Sequence, residues 1–199
     1  MSATPKVYPI LLAAGPSLWL GGRRSIAEFG GRNAFEIAME NCAGLARPVI
    51  VLGHQAAFFA AHIPAGAKIV VNRKWRLGQL GSLLAGLEHV PRNAAFLLYP
   101  ADHVFLSPQV IRQIVRAFRR RKQGQEIFMP WFKKRSGHPV IFSAKIRQEL
   151  EHARTARDVA YRDAQRIRHV PVRTTAIWKE FNEEAIRVRL VSDARIKES

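Results

Sequence analysis

The 199-residue chain has few cysteines and no long apolar run. Cys42 is its single cysteine, which excludes an intramolecular disulfide, and its helical spacing from Phe35 and Met39 indicates a small buried hydrophobic residue. No segment approaches the length of an apolar helix that spans a bilayer, and the N-terminus lacks the basic-then-apolar order of a signal peptide. We therefore expect a soluble, cytoplasmic protein without a membrane partner.

Acidic residues are also scarce: the chain has 15 of them and 32 lysines and arginines, which gives a formal net charge of +17. Such a charge favours anionic partners, namely nucleic acid, nucleotides or phosphorylated metabolites. The cations are spread along the chain, with short clusters at 119–122 and 133–135. The first cluster ends a predicted helix, where cations interact favourably with the helix dipole, and both clusters are typical of a solvated surface.

Several catalytic signatures are missing as well. The chain has no Gly-Lys-Ser/Thr ending of a phosphate-binding P-loop, and no Gly-x-Gly-x-x-Gly follows its first predicted strand. Its seven histidines show no paired metal-ligand spacing, and the serine-hydrolase elbow is absent. P-loop, dinucleotide-binding, zinc-dependent and serine-hydrolase chemistry are therefore disfavoured.

What the sequence does contain is an alternation of short apolar runs with helical patterns. The runs predict strands at 7–15, 48–53, 67–71, 94–99, 126–131, 140–142 and 167–172. Helices are predicted at 33–46, 55–62, 108–121, 144–152, 156–164 and 182–190, with a further helix capped by Ser82 after a loop over 72–81. A capping box at Thr155 and Asp158 opens the helix at 156–164. We predict a single domain over residues 1–199, of the α/β class: three-layer and Rossmann-like, with a mostly parallel sheet and helices on both faces.

Ligands of such sheets bind beyond the carboxyl ends of the strands, so the loops after Leu12, Val71 and Tyr99 should share one rim. The first strand leads into a glycine- and arginine-bearing loop at 15–24, whose amides and cations suit a phosphate ligand. Asp102 directly follows the fourth strand at this rim. Its carboxylate could hold Mg²⁺, which takes few protein ligands, or could be a turn aspartate that bonds its own backbone.

The motifs at these positions, taken in order, resemble the MobA-like NTP transferase family, the nucleotidyltransferases of the molybdenum-cofactor type. The family's signature loop is resembled by Leu12-Ala13-Ala14-Gly15-x-Ser17 with Gly21, and its nucleotide-base loop by Asn72-x-x-Trp75-x-x-Gly78 with Ser82. Its metal-binding aspartate motif is resembled by Pro100-Ala101-Asp102, and its acceptor side by Gly137-His138-Pro139 with Phe142. Residues 157–159 and 180–182 resemble the family's closing part. The similarity extends over nearly the whole chain.

The resemblance implies a fold of the nucleotide-diphospho-sugar transferase type and a Mg²⁺ cofactor. The reaction it implies is transfer of NMP from an NTP to a phosphorylated acceptor, such as molybdopterin or a sugar or alcohol phosphate, with release of pyrophosphate. It implies these roles: nucleotide binding by Leu12, Ala13, Ala14, Gly15, Ser17, Gly21, Arg23, Asn72, Gly78 and Ser82; catalysis by Arg24 and Asp102; metal coordination by Asp102 and Asn182; and acceptor contact by His138. Asn182 could instead cap the last helix, His138 could be a turn residue, and the cluster at 133–135 could contact the acceptor.

The signature loop departs from the family pattern. Trp19 stands where the family has arginine, and tryptophan cannot neutralise a phosphate. Arg24 replaces the family's lysine, and Arg23 could supply a further cation. Two other functions therefore stay open: a catalytically impaired nucleotide-binding regulator on the same fold and, from charge alone, a basic nucleic-acid-binding protein. The last is disfavoured because a recognition helix and the aromatic motifs of RNA-binding sheets are both missing.

Overall fold

The computed structural model of the chain describes residues 5–15 and 31–180, and a twisted sheet runs through the middle of this part. The strands of the described residues are β1 (Val7–Ala13), β2 (Val49–Leu52), β3 (Lys68–Val71), β4 (Ala95–Pro100), β5 (Ile127–Phe132), β6 (Arg135–Ser136), β7 (Val140–Phe142) and β8 (Ile167–Pro171). Their order is β3-β2-β1-β4-β7-β5-β6, with β8 also paired to β5. The first four strands are parallel, β8 is parallel to β5, and β7 runs antiparallel to both β4 and β5. The mostly parallel sheet is confirmed.

Helices cover both faces of this sheet, as predicted. They are α1 (Ala34–Asn41), α2 (Ala56–Ala60), α3 (Gln79–Leu87), α4 (Pro108–Arg119), α5 (Arg147–Glu151) and α6 (Ala156–Tyr161). Residues of α1, α2 and α4, such as Phe35, Phe59 and Ile114, form one buried cluster with the sheet. Residues of α3, α5 and α6, such as Leu83 and Leu150, form the other. The alternation of side chains along each strand supplies both clusters, which gives three layers.

The start of α3 differs from its prediction. The helix begins at Gln79, with Gly78 at the N-cap, and Ser82 lies inside the helix. Gly78 has φ of 113°, which glycine adopts without steric cost, so the backbone can turn into the helix there. Ser82 is only 3% exposed, and its hydroxyl accepts a hydrogen bond from Asn72 Nδ2 at 3.0 Å. The prediction that Ser82 caps the helix was wrong because its hydroxyl bonds a loop side chain instead of helix amides.

Other element boundaries also moved. The basic loop predicted at 133–135 is a tight hairpin between β5 and β6, in which Lys133 and Lys134 have φ of 45° and 63°. Two successive positive φ values are the conformation that matches hairpin twist in a two-residue turn. The predicted helix at 144–152 divides into a 3₁₀ turn and α5, and α6 ends at Tyr161. The predicted helix at 182–190 lies outside the described residues.

Two predictions about single residues are confirmed. Thr155 Oγ1 accepts a hydrogen bond from the Asp158 amide at 3.0 Å, so Thr155 caps α6 as predicted, although only this half of the predicted capping box is present. Cys42 is 3% exposed, and burial raises the pKa of its thiol to about 12, so it remains a neutral core residue. Within 5–15 and 31–180, no helix has both the length and the apolar composition of a bilayer span.

Candidate functional site

The carboxyl ends of the parallel strands meet at one edge of the sheet, as the sequence predicts. The Ala101 amide donates to the Leu12 carbonyl at 3.0 Å, which joins the exit of β4 to the end of β1. The His54 amide donates to the Ala14 carbonyl at 2.9 Å, and the Asn72 amide donates to the Leu52 carbonyl at 2.8 Å. Loops from four strands therefore share this rim. Ligands of open α/β sheets bind at such an edge.

The start of the signature loop lies at the centre of this rim. Leu12, Ala13 and Ala14 are at most 8% exposed, so they can offer a ligand only their backbone, whereas Gly15 is half-buried. The rest of this loop lies outside the described residues, and with it Trp19 and the predicted ligand-binding residues Ser17, Gly21, Arg23 and Arg24. The predicted metal ligand Asn182 lies outside them as well.

The loop at 72–78 closes one side of the rim. Asn72 Nδ2 donates to Ser82 Oγ at 3.0 Å, and Asn72 Oδ1 accepts from the backbone amide of Lys74 at 3.0 Å. The Asn72 side chain therefore ties the loop both to α3 and to itself. Trp75 begins a 3₁₀ turn, and the Arg76 guanidinium lies 4.7 Å from the centre of its ring. Asn72 and Ser82 are thus brought together beneath the loop, and Gly78 lies where the loop enters α3.

Gly53 was not predicted as a site residue, although it determines how close this loop comes to β1. A Cβ placed on Gly53 would lie 2.6 Å from the Ala14 carbonyl oxygen and 2.6 Å from Trp75 Cβ. Both contacts are shorter than real Cβ atoms allow, so only glycine fits at the end of β2. Its position after an apolar strand was visible in the sequence, but its two neighbours were not.

Asp102 lies where β4 leaves the sheet, beside the end of β1. The Asp102 side chain is 13% exposed, and its Oδ1 is 3.2 Å from Nδ1 of His103, whose own side chain is 2% exposed. Among the described residues, none donates a hydrogen bond to Oδ2 of Asp102. The carboxylate bonds a neighbouring ring rather than its own backbone, which argues against a simple turn aspartate and leaves one oxygen available to a ligand.

A buried polar network holds the loop that carries Asp102. Asn41, on the inner side of α1, donates to the Tyr99 hydroxyl at 2.9 Å and to the Leu106 carbonyl at 3.1 Å. The Tyr99 hydroxyl donates in turn to the carbonyl of His103 at 3.3 Å. Burial raises the pKa of the Tyr99 phenol, so it stays protonated and able to donate. One sign of this network is visible in the sequence, namely a polar residue at an inward position of α1, but its partners are not.

His138 reaches the same place from the other half of the sheet. Its ring lies 5.3 Å from that of His103 in an edge-to-face arrangement, and its amide donates to the Ile177 carbonyl at 2.9 Å. Its Nδ1 is buried and bonds no described residue. Burial, with a smaller effect of His103, lowers the pKa of His138 to about 4. The structure therefore brings His138 and Asp102 together, with a neutral imidazole at pH 7.

This low pKa predicts how stability depends on pH. The folded pKa is about 4 and the unfolded value 6.5, so between these pH values the unfolded chain binds more protons. We expect the free energy of unfolding to fall by on the order of 2 kcal/mol as pH drops from 7 to 4.5 because of His138 alone. Urea unfolding of the wild type and of His138→Gln across this range should show the shallower slope in the variant. Equal slopes would contradict the low pKa.

The hairpin between β5 and β6 stands beside His138. The Trp178 indole donates to the Ser136 carbonyl at 3.0 Å, and the Ser136 hydroxyl lies 2.8 Å from the Tyr161 hydroxyl. The Arg135 guanidinium lies 5.0 Å from the centre of the Trp178 ring. These contacts hold the hairpin while Lys133 and Lys134 at its tip stay exposed. Since β7 runs antiparallel to both β4 and β5, β4 and β5 point in the same direction. The hairpin that follows β5 therefore extends from the same edge of the sheet as the exit of β4.

The rim therefore combines backbone groups of the signature loop, a carboxylate with one oxygen that no described residue bonds, a neutral imidazole and exposed cations. Within 5–15 and 31–180, no group of three or more histidines, cysteines, aspartates and glutamates is placed to hold a metal ion. Oxygen donors, backbone amides and cations suit a phosphate ligand with a hard cation better than a nitrogen- or sulfur-ligated transition metal.

Comparison with known proteins identifies the family of the chain. The family model described as the MobA-like NTP transferase domain matches residues 9–172. No curated protein matches the chain.

Several solved structures share the fold. Rv0371c from Mycobacterium tuberculosis H37Rv is similar with a TM-score of 0.79 and 22% identity, over 96% of this chain and 100% of that one. A manganese complex of Rv0371c gives 0.74 and 19%, over 94% and 98%. A nucleotidyl transferase from Methanothermobacter thermautotroptrophicus gives 0.75 and 16%, over 98% and 99%. The predicted nucleotide-diphospho-sugar transferase type of fold is confirmed. Since the family model covers most of the described chain, this protein belongs to the MobA-like NTP transferase family.

Proposed function

We propose that the protein is a Mg²⁺-dependent nucleotidyltransferase that moves NMP from an NTP to a phosphorylated small-molecule acceptor and releases pyrophosphate. One observation carries the proposal: Oδ2 of Asp102, which bonds no described residue, lies where the ends of β1 and β4 meet, with His138 beside it. That position is between the half of the rim formed by β1, β2 and β3, where the nucleotide would bind, and the half that bears the hairpin.

Asp102 suits a hard divalent cation. A carboxylate oxygen is a preferred ligand of Mg²⁺, and partial exposure leaves room for the water and phosphate oxygens that complete its shell. Asn182 would be the second protein ligand. The bound ion would supply charge neutralisation at the α-phosphate. Manganese in the complex of Rv0371c supports a divalent cation in this fold.

The chain's own residues would bind and orient the two substrates. Backbone amides from Leu12 to Gly15, with Ser17, Gly21, Arg23 and Arg24, would hold the triphosphate. The loop at 72–78, fixed by Asn72 and Ser82, would face the base, with Gly78 at its end.

His138 and the hairpin would orient the acceptor. A neutral imidazole can donate a hydrogen bond at one nitrogen and accept at the other, and the hairpin lysines would attract the acceptor's phosphate. An acceptor phosphate oxygen then attacks the α-phosphorus, the bond from that phosphorus to the β-phosphate oxygen breaks, and pyrophosphate leaves. Positioning and charge neutralisation are what such a transfer needs most.

A pyrophosphate-release screen tests this function. The four common NTPs are paired with molybdopterin and with sugar and alcohol phosphates, in Mg²⁺ and in chelator, with acceptor-free reactions as the control. We expect release that requires one acceptor and the metal. NTP binding without release across the panel would instead support the nucleotide-binding regulator, which Trp19 in the signature loop favours.

A further inference from the structure

The opposite edge of the sheet, where the parallel strands begin, carries a basic depression of about 750 Å³. Its lining includes the residues that flank the starts of β1, β4 and β5 and the end of β7, so it is separated from the rim by the length of the strands. The cations on its walls are Lys6, Arg119, Arg121, Lys122 and Lys145. This site has no part in the chemistry proposed for the rim.

Two smaller depressions continue this one in both directions. A groove of about 370 Å³ between α4 and β8 is lined by Arg116, Arg120 and Arg168 and shares Lys122. A third depression of about 390 Å³ shares Lys6 and Arg119 and adds Arg47. Shared walls make the three depressions one continuous surface, which we call the basic band.

The basic band has little negative charge of its own. Glu126 is the one carboxylate among its described lining residues, and it pairs with Lys145 at 3.0 Å. None of the other eight cations forms an ion pair with a described carboxylate, and all nine are exposed. Unpaired like charges repel one another, and a bound polyanion would relieve that repulsion.

Parts of the basic band are held in place before any partner binds. Arg47 donates to the carbonyls of Gly66 and Ala67 at 3.2 and 3.0 Å. The Arg121 guanidinium donates to the Phe118 carbonyl at 3.3 Å and lies 4.4 Å from the centre of the Phe118 ring. Ordering these long side chains in the free protein reduces the entropy lost when a ligand binds.

We propose that the basic band binds the phosphate backbone of nucleic acid without reading its sequence. A surface of three linked depressions fits an extended polyanion better than a single phosphate group. Six of its nine cations are arginines, whose planar guanidinium pairs with phosphate in a two-bond geometry. Phosphate contacts alone supply such affinity, so the lack of a base-reading element is no obstacle.

A membrane surface fits the basic band less well. Peripheral membrane binding generally adds apolar side chains to the basic ones. The large apolar side chains that are exposed in the described chain, Ile69, Val71, Leu77 and Tyr161, line none of the three depressions.

Binding of the full chain to a labelled single-stranded RNA and a DNA duplex, each of about 20 units, tests the proposal by fluorescence anisotropy over a range of salt. The variant Arg116→Gln/Arg120→Gln/Arg168→Gln removes three cations from the groove beside α4. Each phosphate contact with single-stranded RNA contributes about 0.7 to the magnitude of the slope of log affinity against log salt. Loss of three contacts should therefore reduce the magnitude of that slope by about two. At about 50 mM salt this corresponds to a loss on the order of a hundredfold.

The matched control Arg154→Gln/Arg157→Gln/Arg162→Gln removes the same charge from exposed positions outside the basic band. It should retain most of the affinity. Equal losses in the two variants would overturn the proposal, since overall charge would then explain binding, as would no binding by the wild type. Binding to vesicles of equal phosphatidylcholine and phosphatidylserine but not to nucleic acid would also overturn it. Circular dichroism checks that both variants fold, and the pyrophosphate screen reports separately on the rim.

Discussion

Asp102→Asn is expected to lower NTP-dependent pyrophosphate release by about a hundredfold or more. The carboxamide keeps the size of the side chain and an oxygen that can accept from His103, so the loop held by Asn41 and Tyr99 should remain in place. What disappears is the negative charge at the free oxygen, which is the feature that suits Mg²⁺. Steady-state rates over a Mg²⁺ titration should show both a lower maximum and a weaker apparent metal affinity.

Asp163→Asn provides the matched control for this substitution. Asp163 is exposed, and its carboxylate accepts from the Gln165 amide at 2.9 Å, a capping role that asparagine fills equally well. The control should behave as the wild type. If Asp102→Asn also kept the wild-type rate and the same Mg²⁺ dependence, Asp102 would not be the metal ligand and the mechanism would need another carboxylate.

The sequence was most informative where local pattern and burial coincide. The strand that opens the chain is apolar throughout, and β1 is covered on both faces by helices, which is why a continuous apolar run predicts it correctly. Pro108 after Ser107 sets the start of α4 because proline fixes φ and needs no amide partner at the first helical position. The placement of Asp102 at the rim follows from the same reasoning, since parallel strands deliver their ends to one edge.

Features that depend on distant partners were not predictable in this way. Ser82 resembles a helix cap in the sequence, but Asn72 takes its hydroxyl, and Gly78 turns the chain instead. His103 resembles an ordinary loop residue in the sequence, yet its side chain is buried between its neighbour Asp102 and His138, which is 35 positions further along the chain.

The buried side of α5 is a further case of a distant partner. Arg147 is 9% exposed, and its guanidinium donates to the carbonyls of Leu87 and Val90 at 2.6 and 2.9 Å. It thereby joins the last carbonyl of α3, which also accepts from the Val90 amide at 3.1 Å, to the carbonyl of Val90 just beyond the helix. A helical arginine normally indicates solvent, and only the packing of α5 on α3 reverses that expectation.

The second large effect is expected for Gly137→Ala. A Cβ at Gly137 would lie 2.3 Å from the carbonyl oxygen of Ile177 and 2.8 Å from its carbonyl carbon. These are backbone atoms of the 3₁₀ turn at Thr175–Ile177, so no side-chain rotation can relieve the contact. The two segments must separate, which weakens the bond from the His138 amide to Ile177. Overpacking of this kind costs about 1–3 kcal/mol, and the urea midpoint should fall accordingly.

The same separation moves His138, which gives the substitution a functional consequence apart from stability. We expect KM for the acceptor to rise while KM for the NTP changes little, because the half of the rim where we propose that the nucleotide binds is built on β1, β2 and β3. Gly81→Ala in α3 is the control: its nearest neighbour is Asn72 Nδ2 at 4.0 Å, so alanine fits and should stabilise the helix by up to about 1 kcal/mol. A Gly137→Ala protein as stable as the wild type would mean that the turn at Thr175–Ile177 yields without cost. The close approach of Gly137 to Ile177 would then not be what positions His138.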